Sequence, residues 1–247
     1  MRNLRLEIEY DGTNYCGWQI QRNSNNKPSI QETLEKTLHK ILQEKIRLIG
    51  SGRTDAGVHA LAQVANFKTN SKVTLEKLQK ALNGNLPDDI TISKIKEVSL
   101  KFNSRFNAKS KLYRYTILNR NYPSAGLRNT TYFYPRPLNI KLMQKEAKVL
   151  LGRHNFAAFV GSNKIEINAV RTIKRIKITK GKDLICIDIE ADGFLYNMAR
   201  NIVGTLIEIG RGRFLEGSLK RILDLKTRKL AGPTAPAGGL CLLGVRY

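Results

Sequence analysis

The stretch GSGRTDAGVHA, residues 50–60, places one carboxylate, Asp55, in a glycine-rich loop beside Arg53. Its three glycines allow the backbone to come close to a ligand, so the loop can present Asp55 to one. A carboxylate presented in this way can act as a nucleophile or as a general base. The spacing GxxxxGK(S/T) of a phosphate-binding P-loop is absent. The alternative is an ordinary turn in which Asp55 bonds its own backbone.

Two further stretches place aromatic residues where they could contact a substrate. YDGTNYCGWQ follows the first predicted strand and contains Tyr10, Tyr15 and Trp18. These rings suit either stacking on a ligand or bracing of a loop. In KLYRYTILN, strand alternation puts Tyr113 and Tyr115 on one face. They are then either core residues or an aromatic platform for a base.

A fourth stretch, DGFLYNMARNIVGTLIEIG, predicts a helix at 196–209. Its apolar stripe contains Met198 and Ile202, and Arg200 lies off that stripe near the first turns. A single arginine on a helix is usually a surface residue. The alternative, favoured by its neighbours in this stretch, is a functional position for Arg200.

The composition points to a polyanionic partner. The chain has 247 residues, of which 41% are hydrophobic, so it is long and apolar enough to fold around a core. It carries 43 Lys+Arg against 20 Asp+Glu, a net charge of +23. This excess is far more than solubility requires and favours a nucleic acid as the partner.

The sequence disfavours membrane, disulfide and metal chemistry. No run reaches the roughly 18 apolar residues of a spanning helix, and MRNLRLEIEYDG lacks the apolar core of a signal peptide, which predicts a cytoplasmic protein. Cys16, Cys186 and Cys241 are odd in number and far apart, which disfavours a disulfide framework and a zinc knuckle. We expect no cofactor and no metal.

The elements that must position these residues are predicted by periodicity, and they give an α+β fold in two halves. The first half follows the order β-α-β-β-α-β, the split arrangement of ferredoxin-like domains. Its strands are expected near 3–9, 46–49, 58–68 and 90–98, and its helices at about 29–43 and 74–83. Ser29 and Glu32 form a capping-box pattern at the start of the first helix.

The second half repeats this order more loosely. Strands are expected at 110–118, 170–178, 183–190 and 241–246, and helices at 139–151, 196–209 and about 216–225. Residues 119–138 lack periodicity and predict a long loop. We therefore expect two domains, residues 1–104 and 105–247, packed together with a groove along their interface.

Taken together, the motifs resemble the tRNA pseudouridine synthase A family. They are YDGTNYCGWQ, GSGRTDAGVHALAQVANF, KLYRYTILN, GRHNFAAFV, NMARNIVGTLIEIGRG and AGPTAPAGGLCLLGVRY, which occur in family order over nearly the whole chain. The resemblance implies two ferredoxin-like domains whose sheets join at a central cleft, and a homodimer without a cofactor. It also implies isomerisation of uridine to pseudouridine in the anticodon stem-loop of tRNA, around positions 38–40 of the tRNA.

The resemblance also implies a role for each candidate residue. Asp55 matches the catalytic aspartate, and Arg53 matches the arginine associated with displacing the target base. Tyr113 matches the tyrosine that lies against the uracil, and Arg200 matches the basic residue that keeps the aspartate ionised. Three routes are open to Asp55: attack on the sugar, attack on the base, or abstraction of a sugar proton.

Two other classes of protein share some of these sequence features. A non-catalytic RNA-binding protein with the topology of an RNA-recognition module would share the fold, but its aromatic sheet motif is absent and it leaves GRTDAGVHA unexplained. A metal-dependent nuclease would need several clustered carboxylates, and the loop supplies one.

The charge excess gives a first testable prediction. If the basic residues bind tRNA phosphates, the logarithm of the affinity for tRNA falls linearly with the logarithm of the salt concentration. The slope is about −0.7 to −0.9 per phosphate neutralised. Equilibrium binding measured at several salt concentrations checks this. An affinity that is the same at low and moderate salt would contradict it.

Overall fold

The computed structural model describes residues 1–21, 27–161 and 168–247. It confirms the predicted α+β class, with ten strands and five α-helices in the described residues. The chain divides into two compact units. Unit 1 comprises Met1–Lys109 with Leu242–Tyr247, and unit 2 comprises Ser110–Cys241. The division into domains at 104/105 stays a prediction.

Unit 1 contains six elements in the order that periodicity predicts for the first half of the chain. Strands and helices alternate as β-α-β-β-α-β, and most bounds lie within one or two residues of the predicted ones. The elements are β1 (Arg2–Tyr10), α1 (Ile30–Leu42), β2 (Ile49–Gly50), β3 (His59–Thr69), α2 (Leu75–Asn83) and β4 (Ile90–Val98).

The strands of unit 1 pair in antiparallel fashion. β1 lies between β4 and β3, and the short β2 pairs with β3. Alternate residues of β1, such as Leu4 and Leu6, are buried, as expected for a sheet with one covered face. The predicted cap of α1 is confirmed, because the Ser29 hydroxyl accepts a hydrogen bond from the Glu32 N–H at 3.1 Å.

Unit 2 is built around a second antiparallel arrangement of strands, in the order β5-β9-β8-β7, with β6 pairing parallel to β5. The last strand, β10, begins in unit 2 and ends in unit 1. The elements are β5 (Ser110–Leu118), β6 (Tyr132–Phe133), α3 (Ile140–Ala147), β7 (Gly152–Asn155), β8 (Val170–Lys180), β9 (Leu184–Ala191), α4 (Met198–Gly210), α5 (Ser218–Leu225) and β10 (Leu240–Arg246).

Unit 2 differs from the sequence prediction in two places. The helix expected at 139–151 ends at Ala147, continues as one 3-10 turn to Leu150, and gives way to β7. Gly152 stands at this change with φ +94°, a conformation that a helix cannot contain. The predicted loop at 119–138 contains β6, and the Asn119 amide donates to the carbonyl oxygens of Tyr134 and Arg136, both at 2.8 Å.

Helix α4 lies in the interior of unit 2. Every residue from Asn201 to Gly210 is buried, so the apolar stripe predicted from the sequence is only part of its contact surface. Among the described residues, no helix is long and apolar enough to cross a membrane.

Candidate active site

The loop at 51–58 connects β2 to β3 in unit 1 and contains Arg53 and Asp55. Its start is held by Gln63, whose side chain accepts from the Ser51 hydroxyl at 2.6 Å and donates to the Gly52 carbonyl at 3.0 Å. Its end is a turn in which the Val58 N–H donates to the Asp55 carbonyl at 3.1 Å. Gly57 has φ +77° in this turn, a conformation that favours glycine.

The motif YDGTNYCGWQ supports this loop from behind. A Cβ placed on Gly12 would lie 2.1 Å from the Val58 carbonyl oxygen, and one on Gly17 would lie 2.5 Å from that of Thr54. The backbone N–H of Trp18 donates to the same Thr54 carbonyl oxygen at 3.0 Å. Only glycine permits two backbones to approach this closely. The YDGTNYCGWQ motif therefore fixes the backbone on both sides of Asp55.

The three aromatic residues of that motif are buried, so they pack in the interior of unit 1. Tyr10, Tyr15 and Trp18 are 2–4% exposed. The hydroxyl groups of Tyr10 and Thr54 share a hydrogen bond of 2.8 Å. The Tyr10 and Trp18 ring centroids lie 6.3 Å apart. The loop thus rests on packed aromatic rings.

Asp11 and His59 form a polar link between the two motifs. His59 Nδ1 lies 3.0 Å from Asp11 Oδ1 and 3.1 Å from the Gly12 nitrogen. Both contacts are made by the same ring nitrogen, and the tautomer of the ring decides whether it accepts from Gly12 or donates to Asp11. Burial raises the pKa of Asp11, but hydrogen bonds from Thr13 and the charge of His59 outweigh burial and hold that pKa below its ordinary value.

The two predicted site residues of unit 1 differ in exposure. Asp55 is half-buried and Arg53 is exposed. Among the residues that the structure describes, the Arg53 side chain makes no hydrogen bond or ion pair with the protein. Its guanidinium is therefore available to a ligand that approaches the loop.

In unit 2, strand β5 carries Tyr113 and Tyr115 on one face, as predicted. Tyr115 is fully buried, its hydroxyl donates to the Pro236 carbonyl at 2.8 Å, and burial raises its pKa. Tyr113 is 6% exposed, and its ring meets Phe194 edge-on with centroids 4.9 Å apart. Tyr115 is thus a core residue with a satisfied hydroxyl, while Tyr113 lies against an aromatic neighbour.

Arg200 lies in the first turn of α4 and is half-buried. Its Nε donates to the Ala235 carbonyl at 2.7 Å, and its Nη1 donates to Asn197 Oδ1 at 3.0 Å. Asn197 stands at the N-cap in the left-handed conformation, φ 59°, and makes no capping hydrogen bond with its side chain. Its amide oxygen serves the Arg200 side chain instead of the helix end, which orients the guanidinium.

The closing motif AGPTAPAGG holds both Arg200 and Tyr115. Its segment 231–236 lies against α4, where a Cβ on Gly204 would be 1.7 Å from the Pro233 carbonyl oxygen. The Ala235 N–H also donates to the Arg200 carbonyl at 3.2 Å. Arg200 and Tyr115 therefore contact adjacent residues of one segment, Ala235 and Pro236.

A buried polar network fixes the same segment and was not predicted from the sequence. The Asn201 amide oxygen accepts from the Thr234 hydroxyl at 2.6 Å and from Arg228 at 3.1 Å. The Thr205 hydroxyl accepts from the Gly232 N–H at 2.9 Å. The one sequence feature that could have indicated this packing is the set of glycines in the closing motif, because glycine lets two backbones approach closely.

No metal-binding cluster is found within the described ranges, since no group of three or more His, Cys, Asp or Glu side chains could hold an ion there. The 51–58 loop carries one carboxylate, Asp55, on a fixed backbone, with Arg53 two residues before it in the chain. That set of groups suits a reaction that needs a nucleophile or a base.

The comparisons with known proteins agree with this chemistry. The family described as tRNA pseudouridine synthase matches residues 7–107 and 147–247. The protein named tRNA pseudouridine synthase A from Thermoanaerobacter sp. is 48% identical over 247 residues, and the proteins of that name from Acetivibrio thermocellus and Clostridium acetobutylicum are 47% and 45% identical. Each alignment covers all of both chains. This chain belongs to the tRNA pseudouridine synthase family. It is an isomerase that converts uridine to pseudouridine in tRNA.

The family match covers three of the four predicted site residues. Arg53, Asp55 and Arg200 fall inside the matched ranges, whereas Tyr113 falls between them. The full-length synthase relatives cover the strand of Tyr113 as well. A solved Cbf5–Nop10–Gar1 complex is similar over 97% of this chain and 48% of the other, at 11% identity and a TM-score of 0.38. The synthase thus spans about half of that polypeptide, and the similarity is too low to bear on its fold.

The contact between α4 and the closing motif gives a second prediction. At an open helical position, replacing glycine by alanine stabilises a helix by up to about 1 kcal/mol. At Gly204 the new methyl group would overlap the Pro233 carbonyl oxygen. We expect Gly204→Ala to lower the free energy of unfolding by about 1–3 kcal/mol instead. Urea or thermal unfolding measures the change.

Gly126→Ala is the matched control, because a Cβ at Gly126 meets no atom within 4 Å. It should leave the unfolding free energy within about 0.5 kcal/mol of the original. Equal unfolding free energies of the two variants would show that segment 231–236 moves away from α4 without cost in stability.

Proposed function

We propose that this synthase acts on uridines of the anticodon stem-loop of tRNA, around positions 38–40 of the tRNA, with Asp55 as its reagent. The construction of the 51–58 loop carries the assignment of Asp55, and the family resemblance carries the choice of uridines. Gly12, Gly17 and Gln63 hold its backbone on both sides of Asp55. A loop fixed so closely around one half-buried carboxylate is suited to presenting that group to a substrate.

The proposed fold is the pair of ferredoxin-like domains, residues 1–104 and 105–247, with sheets joined at a central cleft. The order β-α-β-β-α-β in unit 1 and its antiparallel pairing support this assignment for the first domain. The family resemblance supports it for the second.

The reaction requires one carboxylate and no external donor. The bond between the sugar C1′ and uracil N1 breaks, the ring turns, C5 bonds to C1′, and the C5 hydrogen leaves as a proton while N1 gains one. Atoms and electrons therefore balance within the nucleotide and water. Asp55 attacks the sugar, attacks the base or removes a sugar proton. Arg200 is assigned, from the family resemblance, to keep the carboxylate charged, because a guanidinium close to a carboxylate stabilises the anion.

The target base must leave its stack to reach the carboxylate, at a cost of a few kcal/mol. The exposed Arg53 guanidinium, two residues from Asp55, is assigned to fill the vacated position in the RNA. Tyr113 is assigned to lie against the displaced uracil. The edge-on packing of its ring against Phe194 limits the positions that the ring can adopt, which supports this role.

We also propose a homodimer in the cytoplasm, both from the family resemblance. The runner-up, a non-catalytic RNA-binding protein of RNA-recognition-module topology, is not favoured, because the relatives that match over the full chain are named as synthases.

The role of Asp55 is tested by Asp55→Asn. The amide keeps the size of the side chain but is a poor nucleophile and base. We expect loss of pseudouridine formation, with the melting temperature and the affinity for tRNA nearly unchanged. Single-turnover assays on tRNA, run with and without EDTA, measure the reaction. Turnover within tenfold of the original enzyme would show that another group is the reagent.

The role of Tyr113 is tested by comparing Tyr113→Phe with Tyr115→Phe. The Tyr115 hydroxyl donates to the Pro236 carbonyl, so its removal should cost about 1 kcal/mol of stability and leave turnover in place. Tyr113→Phe should instead reduce turnover strongly at a temperature where the variant is fully folded. If both variants lose equal stability and keep full turnover, Tyr113 is a core residue without a role in binding.

A further inference from the structure

Phe106 is a large aromatic side chain that unit 1 holds on its surface. It is 78% exposed, although the residues around it are well anchored. Single exposed apolar residues are common and by themselves indicate nothing. What distinguishes Phe106 is the structure of its turn and the charge that surrounds it.

The turn that carries Phe106 is fixed by two asparagine side chains. Asn103 Oδ1 accepts from the backbone N–H groups of Arg105 and Phe106, at 3.0 and 3.1 Å. Asn107 Oδ1 accepts from the Asn103 N–H at 2.7 Å, and the Asn107 N–H returns to the Asn103 carbonyl at 3.0 Å. Most backbone freedom around Phe106 is therefore lost on folding, before any ligand binds.

Ser104 ties this turn to the strand that leads into the Asp55 loop. Ser104 is fully buried, and its N–H donates to Asn66 Oδ1 at 2.8 Å. Its hydroxyl donates to the carbonyl of Ile49, the first residue of β2, and its own carbonyl accepts from the Tyr247 hydroxyl at 2.9 Å. The position of Phe106 is thus coupled to that of β2, which the 51–58 loop follows directly.

The surroundings of Phe106 are cationic. The Arg105 guanidinium lies over the Phe106 ring, 5.6 Å from its centroid. Lys101 and Lys109 on either side are exposed, and residues 101–109 contain no acidic side chain. An exposed ring beside an arginine fits a nucleotide, because the ring stacks on the base while the cation contacts the phosphate. Lysine is depleted in protein–protein interfaces, so Lys101 and Lys109 favour RNA over an apolar protein surface as the partner.

We propose that Phe106 is a stacking platform for an unpaired base of the substrate RNA, with Arg105 at the adjacent phosphate. The ligand class is a single-stranded nucleotide in the RNA loop that unit 1 binds. The inference rests on the proposed function, since that function places an RNA loop against unit 1. The contact supplies binding and position, and it takes no part in the bond changes at the uridine.

The test compares the affinity for one tRNA transcript among Phe106→Ala, Phe106→Leu and Leu215→Ala. Leu215 is the matched control, because it is also 78% exposed. Loss of a stacked base corresponds to about tenfold weaker binding or more. We expect that loss for Phe106→Ala and most of it for Phe106→Leu, with the salt dependence unchanged. Leu215→Ala should bind as the original enzyme does.

A second variant reports on stacking directly. Trp18 is the only tryptophan and is 2% exposed, so Phe106→Trp adds a distinguishable exposed fluorophore. We expect saturating tRNA to quench its emission. Unchanged emission would overturn the proposal, as would binding by Phe106→Ala within twofold of the original. A third contrary result is a Phe106→Ala variant that keeps full affinity for RNA but no longer self-associates in sedimentation. Phe106 would then contact a second copy of the chain and not RNA. Because affinity requires no chemistry at Asp55, failure of the Asp55 assignment leaves this test intact.

Discussion

The carbonyl oxygens of Thr54 and Val58 lie so close to Gly17 and Gly12 that no side chain fits between the two backbones. The placement of Asp55 depends on this constraint, because these carbonyls flank it in the chain. The aromatic rings of YDGTNYCGWQ pack in the interior of unit 1, and the Thr54 hydroxyl forms a hydrogen bond with the Tyr10 hydroxyl. The motifs YDGTNYCGWQ and GSGRTDAGVHA, some forty residues apart in sequence, thereby form one rigid structure around Asp55.

A comparable constraint acts in unit 2 at Gly204, where the closing motif meets α4. Close approach there brings the Ala235 carbonyl within 2.7 Å of the Arg200 Nε, and Asn197 holds the other end of the guanidinium. Arg228 lies in the same network, and its partners among the described residues are neutral oxygens. Burial lowers the pKa of Arg228, because it disfavours the charged guanidinium. The four oxygen acceptors replace the hydrogen bonds that water would make and so allow the charge to remain there.

Neutral networks of this kind use few of the basic residues, and much of the basic excess lies at the surface of the described residues. Four lysines, Lys141, Lys145, Lys148 and Lys177, line one groove beside α3 and β8. Lys145 is paired with Glu216, which raises its pKa, while Glu146 is buried and accepts from the N–H groups at the start of α5. Surface charge of this kind suits the phosphate backbone of RNA, which carries no sequence information, so the selection of one uridine requires side chains placed at the base itself.

The sequence by itself determined the class of fold, most element bounds and the residues to consider. Periodicity is a local property, so α1 and β5 were predicted nearly to the residue, and the motif GRTDAGVHA singled out Asp55 without any structure. Only the tertiary structure decided the rest. β6 and β7 are two and four residues long and exist because a neighbouring strand pairs with them, which no local pattern shows. In the same way, the partners of Gly12, Asn197 and Ser104 are distant in sequence or depend on an unusual backbone angle, so their roles follow from packing alone.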